Sequence, residues 1–226
     1  MRAFRYLHRG PAVSPLLEDV PVPPLHAGEL LVRVRFASLN PVDWKIAAGK
    51  FRFLVKGGMP RTMGSDFSGE IAAVGAGLAG WREGEPVMGF IDPFARVHGT
   101  FAEFVPVPAG FVARRPAGID DRVGAALSCV GVTAVALCNL AQVGSGMRVL
   151  VNGAAGGVGH VSVQVAKARG ATVTAVASAA RRDLVASLGA DDFLDYRALP
   201  RNDGPAASTP CSTACPTFRA IGTSTC

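Results

Sequence analysis

Apolar and polar positions follow two regimes along this chain. Over the first 120 residues, short apolar runs at Leu30–Phe36, Glu70–Val74, Pro86–Phe90 and Phe101–Val107 alternate with Pro and Gly clusters at Pro21–Pro24, Gly57-Gly58 and Gly75–Gly80. Runs of this length bounded by turn formers predict strands, and no 3.6-residue apolar repeat is sustained among them. The pattern changes near Asp120. A charge-free stretch predicts a buried helix over Val123–Gln142, capped by Asp120 or Asp121 and closed by Gly144 and Gly146.

The next segment alternates between the two periods. Met147–Val151 predicts a strand and a glycine turn follows. A helix is then expected over Gly157–Ala168, ending at Gly170. Ala171–Ala177 predicts a second strand, Ala179–Leu188 a second helix ending at Gly189, and Phe193–Tyr196 a third strand. Strand, glycine turn, helix, strand, helix, strand is the first half of a doubly wound parallel α/β sheet. The expected division is a β-rich domain over 1–122, a partial dinucleotide-binding domain over 123–200 and an aberrant, disordered tail over 201–226.

The glycine turn carries the clearest chemistry. Ala155, Gly156, Gly157, Val158 and Gly159 lie between a strand and a helix. A missing Cβ there lets a pyrophosphate approach the backbone, and the free amides of the helix start face its charge. The bland alternative is a tight turn that only packs helix on strand. The end of the second strand selects the dinucleotide. Ala177-Ser178-Ala-Ala-Arg181-Arg182 has no acid before Asp183, whereas a carboxylate here would accept the ribose hydroxyls of NAD. A serine hydroxyl and a guanidinium suit a 2′-phosphate, so Ser178 and Arg182 point to NADP(H).

Composition narrows the classes. The net charge of +6 comes from 19 Arg and four Lys against 17 acids, and the basic residues are scattered rather than blocked. No nucleic-acid partner is expected. Five cysteines, none before Cys129, make no disulfide framework. The first eleven residues contain Arg2, Arg5, His8 and Arg9 and no apolar signal core, so a cytoplasmic location is expected. The charge-free stretch from Val123 to Met147 contains Ser128, Thr133, Asn139 and Gln142 and lacks basic anchors. It is expected to be a soluble core helix and not a membrane span.

Several motifs occur in a recognisable order: Leu39-Asn-Pro-Val-Asp-Trp-Lys-Ile46, Gly64-Ser-Asp-Phe-Ser-Gly-Glu-Ile-Ala-Ala-Val-Gly75, Gly84-Glu-Pro-Val-Met-Gly89, Gly99-Thr-Phe-Ala-Glu-Phe104, Gly131-Val-Thr-Ala134, the glycine turn and Ser187-Leu-Gly-Ala-Asp191. With them the sequence resembles the medium-chain dehydrogenase/reductase superfamily, specifically its zinc-free quinone oxidoreductase branch. The resemblance implies an α/β protein with an N-terminal GroES-like β-rich domain followed by a Rossmann sheet, incomplete here. It also implies hydride transfer from NADPH to a small-molecule quinone or α,β-unsaturated carbonyl, and homodimeric full-length relatives. By the same resemblance Thr133, Lys167, Ser178 and Tyr196 would touch NADPH.

Asn40 and Ser65 stand where zinc-dependent relatives carry ligands, and His8, His26 and His98 are isolated, so no metal is expected. Carbonyl polarisation then falls to hydrogen-bond donors. Asn40 and Lys45 are the candidates, with Asp43 orienting Lys45 or the cofactor. An Asp43–Lys45 surface ion pair is the plain alternative.

The last residues break the pattern. Of the 22 residues from Pro205 to Cys226, eleven are Ser, Thr or Cys and only Arg219 is charged. No strand or helix pattern is expected there, and the preponderance of Arg over Lys fits a GC-rich gene read in a shifted frame. A sheet limited to its first three strands would lack the point where strand order reverses. The competing readings are a non-enzymatic remnant with weak or no nucleotide binding, an enoyl-reductase module and a zinc alcohol dehydrogenase.

Overall fold

The computed structural model describes residues 1–198 and 218–222. The chain divides into two compact units, Met1–Cys129 and Val130–Cys226.

The first unit contains β1 (Arg2–Tyr6), β2 (Leu16–Asp19), β3 (Glu29–Phe36), α1 (Pro41–Ala47), β4 (Arg61–Thr62), β5 (Asp66–Val74), β6 (Pro86–Phe90), β7 (Phe104–Pro108), β8 (Val112–Arg114) and the start of α2 (Asp121–Leu140). Strands β2-β1-β4 form a small antiparallel sheet, and β7-β3-β5-β6-β8 form a larger one. Alternation builds the larger sheet. Leu30 and Val32 of β3 point inward with Phe67 and Ile71 of β5 and Val105 and Val107 of β7, while Arg33 and Arg35 point to water. Each such buried side chain contributes about 1.5–3 kcal/mol of burial. Val32 lies opposite Ile71 on one side and Val105 on the other, which fixes the register.

Two expected strand starts move by more than a single residue. β5 starts at Asp66 rather than Glu70 because Gly69 is a strand residue and not a turn residue. A Cβ on Gly69 would lie 2.0 Å from the Arg33 carbonyl oxygen, beside the register shift between Val34 and Phe36. β7 starts at Phe104, since Phe101 is spent joining neighbouring strands. It donates its amide to Met63 and its carbonyl accepts from Phe4.

Asp120 is the cap of α2. Its Oδ1 accepts the Val123 amide at 2.8 Å, while Asp121 Oδ1 accepts Ser68 Oγ at 2.8 Å. The helix ends at Leu140 and is closed by Gln142, at φ 51°, and not by Gly144 or Gly146; the Val143 amide there bonds back to Cys138. It is buried along one stripe only. Val132 and Leu140 are exposed, so the buried helix expected from the apolar run is buried on one side only.

The second unit holds β9 (Arg148–Asn152), α3 (Gly157–Ala168), β10 (Thr172–Ala177), α4 (Arg182–Ser187), β11 (Asp192–Asp195) and β12 (Phe218–Gly222). The expected single helix over 179–188 is a 3-10 turn at Ala179–Arg181 followed by α4. β10 is buried from Val173 to Ala177, the continuous apolar run of a central parallel strand. The sheet is parallel throughout, in the order β11-β10-β9-β12.

The tail therefore supplies a strand. β12 pairs with β9 from Phe218 to Gly222, and Ile221 is buried in the core with Val149 and Val151. This corrects the expectation of a tail without strands and of a three-strand sheet. Ile221 meets an apolar slot beside β9, and backbone pairing needs no particular side chains. The rest of the expected disordered tail lies outside the described residues.

Candidate functional site

The glycine turn leaves the carboxyl end of β9. Gly153 takes φ 69°, Ala154 donates its amide to Val176 O at 3.0 Å, and Gly156 donates to Gly153 O at 2.8 Å. These bonds fold the turn against β10 before α3 begins. Gly159 is required internally, because a Cβ there would meet the Gly153 carbonyl oxygen at 2.1 Å. Gly156 and Gly157 differ. Both are exposed with ordinary backbone angles at the helix start, and added Cβ atoms would meet only Gly153 O at 3.2 Å and Val130 Cγ1 at 3.3 Å. Packing constrains these two positions far less severely than Gly159, since an added Cβ would need a neighbour to give by only a few tenths of an ångström. What a side chain would obstruct is the space before the amides of Gly157, Val158 and Gly159, which open the helix without partners one turn back. The residues present thus fit a dinucleotide pyrophosphate held at a helix N-terminus.

The carboxyl ends of β10 and β11 gather beside the turn. Ser178 follows β10 and is half-buried. Tyr196 follows β11, donates its amide to Ala177 O at 3.3 Å and is 51% exposed. Arg182 opens α4, with its guanidinium carbon 5.5 Å from the centre of the Phe193 ring. Asp195 is in register with Ala177, and its Oδ1 accepts the Arg197 amide at 2.9 Å. Thr133 lies one turn beyond Val130 on α2, on the helix face that reaches Gly157.

Lys167 is not brought to this place. It sits in the last turn of α3, about 15 Å along the helix from Gly157 at 1.5 Å per residue. Its ammonium is bound to both oxygens of Asp191 at 2.7 and 2.8 Å, and Asp191 Oδ2 also takes the Val173 amide at the other end of β10. The structure makes Lys167 a lock between α3 and the start of β10.

In the first unit the chemistry centres on α1. Asn40 caps this helix, Pro41 occupies its first position, and Asp43 Oδ2 accepts the Asn40 amide at 2.7 Å. Asp43 Oδ1 accepts Ser65 Oγ at 2.8 Å. Burial pushes the Asp43 carboxyl up, against the pull of those two bonds. Asp43 therefore does not pair with Lys45. The Lys45 ammonium lies 5.9 Å from the centre of the Trp44 ring, with the Lys50 ammonium 5.4 Å from that same ring.

The Asn40 side chain turns to a residue that motif spacing alone gave no role. Asn40 Nδ2 donates to Asp66 Oδ2 at 2.8 Å, and Ser38 Oγ donates to the same oxygen at 2.6 Å. Asp66 is fully buried, and its pKa is pushed up to about 6. Burial is the main cause. The Ser38 and Asn40 bonds and the Cys129 amide pull the other way, and the charge of Asp43 adds to the rise. The signal was present in the sequence as the one charged residue in the stretch from Met63 to Gly69.

A pocket of about 20 Å³, room for about one water, opens beside Asp43, Arg61 and His98. Arg61 spends its guanidinium on the carbonyls of Lys56, Pro93 and Arg96, so the lining is structural. Among the described residues no three His, Cys, Asp or Glu side chains cluster to hold a metal ion.

Comparison with known proteins bears on both units. Residues 26–117 match the alcohol dehydrogenase GroES-like domain and residues 157–207 the zinc-binding dehydrogenase family. The chain is 36% identical over 204 residues to the chloroplast envelope quinone oxidoreductase homolog of Arabidopsis thaliana, covering 87% of this chain and 61% of that protein. It superposes on the quinone oxidoreductase of Coxiella burnetii with a TM-score of 0.78 at 31% identity, covering 87% of this chain and 62% of that one. The quinone oxidoreductase of Thermus thermophilus, whose structure is known with NADPH, gives a TM-score of 0.71 at 30% identity, over 85% of this chain and 59% of that one. The chain thus spans about 60% of the length of these relatives.

Proposed function

Because the chain belongs to the medium-chain dehydrogenase/reductase superfamily, among its quinone oxidoreductases, we propose that it is an NADPH-dependent reductase of quinones or α,β-unsaturated carbonyls that works without a metal. The observation that carries this reading is the glycine turn. Gly156 and Gly157 are exposed at the start of α3, at the carboxyl end of β9, where strand order reverses between β9 and β12.

The amides of Gly157, Val158 and Gly159 would hold the pyrophosphate. Ser178 and Arg182 would hold the 2′-phosphate, with Tyr196 and Thr133 flanking the nucleotide. No acid stands at the end of β10 to prefer the ribose hydroxyls, and the neighbouring Asp195 is turned to the Arg197 amide. The bound cofactor supplies the hydride, and the protein supplies position and field.

Hydride arrival at a conjugated carbon builds negative charge on the distant oxygen, so a preorganised donor there lowers the barrier. Asn40 and Lys45 fill that role in this reading. Asp43 holds α1 in shape and does not touch substrate. Support for metal independence lies in the side chains themselves, since the Asn40 amide and the Ser65 hydroxyl are committed to Asp66 and Asp43.

The test is steady-state turnover of NADPH with a simple benzoquinone and a simple enone. Turnover is expected to survive a chelator and to fall by about a hundred-fold in Asn40→Ala. Loss of activity on chelation with recovery on zinc, or full activity in Asn40→Ala, would contradict the proposal.

A further inference from the structure

A buried acid with no cation beside it is costly unless something uses its charge. Asp66 opens β5 at zero exposure, and among the described residues no lysine or arginine pairs with it. Three elements face it. The loop before α1 brings Ser38 and Asn40, α1 itself brings the carboxyl of Asp43, and α2 brings the Cys129 amide. Asp66 Oδ2 takes both side-chain bonds, and the Cys129 amide is the backbone donor at the carboxyl. Nothing in the packing of β5 calls for a carboxylate, because its neighbours from Met63 to Ser68 are buried and uncharged.

The donors explain the arrangement. A carboxylate only accepts, so the Asn40 amide must present Nδ2 to it and cannot turn over. One N–H of Nδ2 is thereby fixed at 2.8 Å, while the 3.5 Å contact from Nδ2 to Ser38 Oγ is long, and the Ser38 proton is already spent on Asp66. The second N–H of the amide has no strong partner. Two bonds lock the residue as a whole, Asp43 on its backbone amide and Asp66 on its side chain.

We propose that Asp66 is a positioning residue whose carboxylate clamps the Asn40 amide, so that its second N–H is held ready for the oxygen of the substrate. The clamp rests on the reading of Asn40 as the substrate's donor. It is strong only while Asp66 is charged, since bonds to an ionised acceptor are about twice as strong as neutral ones. With the carboxyl held at about 6, the clamp is closed above that pH and loosens below it. Among the described residues Asp43 is the titratable group whose charge bears on Asp66, and burial raises it in the same direction; α2 brings Cys129 to the same carboxyl through its amide.

Nitrogen-15 NMR of the full chain tests the clamp without any turnover. The sequence has four asparagines, and the Asn40 side-chain signal is identified by its loss in Asn40→Ala. In the wild type that signal is expected to titrate with a midpoint near pH 6. Asp66→Asn should abolish the titration and Asp66→Glu should restore it. Steady-state kinetics with NADPH and benzoquinone should show kcat about ten-fold lower in Asp66→Asn, with KM for NADPH unchanged and the acid limb of the pH profile gone.

An Asn40 signal that is flat in pH, or that titrates equally in Asp66→Asn, overturns the clamp and in the second case assigns the titration to Asp43. A titrating signal with kcat unchanged in Asp66→Asn overturns the catalytic use of the clamp. If Asn40→Ala also keeps its activity, the fault lies in the assignment of Asn40 as donor. Should Asp66→Asn fail to fold, the carbon-13 titration of the wild-type Asp66 carboxyl decides. Matching midpoints for the carboxyl and the Asn40 amide support the clamp, and separate midpoints overturn it.

Discussion

A carboxyl group held at about 6 instead of 3.8 weakens the folded state whenever it is charged. Folded Asp66 keeps its proton more tightly than the unfolded chain does. Its contribution to stability is therefore full below about pH 4 and lost as the pH rises through about 6. Carboxylates held low by partners, Glu103 at Arg2 and Asp191 at Lys167, act in the opposite sense, so the prediction concerns a difference between two proteins. Urea denaturation of wild type and Asp66→Asn at a series of pH values should show the variant gaining on wild type by on the order of 2–3 kcal/mol between about pH 4 and pH 7.5. A constant difference across that window would contradict a buried, ionised Asp66. At this scale the sequence was a partial guide. It marked Asn40 and Lys45, but it joined Asp43 to Lys45, and residues two apart on a helix face different ways. Asp66 escaped notice because its partners, Ser38 and Asn40, come from 28 and 26 residues earlier in the chain.

At the scale of elements, the turn between β9 and α3 was legible almost to the residue. Its signal is local: an apolar strand, glycines fixed in spacing, and a helix whose bounds at Gly157 and Ala168 follow from Gly170. Elements that depend on distant contacts were not. The start of β5 was missed because Gly69 is dictated by the Arg33 backbone and not by its own neighbours. α1 was missed although Asn40 and Pro41 form an ordinary helix start. The same geometry separates two substitutions on α3. Gly159→Ala forces a Cβ to within 2.1 Å of a carbonyl oxygen that cannot move freely, and should cost more than about 2 kcal/mol in thermal melts and abolish NADPH binding. Lys167→Ala removes one partly exposed ion pair, with side chains 31% and 39% accessible, and should cost less than about 1 kcal/mol while leaving NADPH affinity unchanged. A loss of nucleotide binding in Lys167→Ala alone would return Lys167 to the site.

For the whole molecule, the chain order β11-β10-β9-β12 places the reversal of the sheet beside the glycine turn. Sequence pattern foresaw the first three of those strands. It could not foresee β12, since a five-residue strand rich in small residues owes its place to the open side of β9 and to the burial of Ile221. The general class, a β-rich unit followed by a parallel α/β unit, was legible from the change of apolar period near Asp120. The central claim is that this sheet end receives NADPH, its pyrophosphate on the amides at the start of α3 and its 2′-phosphate near Ser178 and Arg182. Calorimetric titration of the chain with NADPH and with NADH tests it most directly. The account predicts binding of NADPH at least about ten-fold tighter than NADH, with that preference lost in Arg182→Ala. Absence of binding by either nucleotide, or equal affinities that Arg182→Ala leaves unchanged, would contradict it.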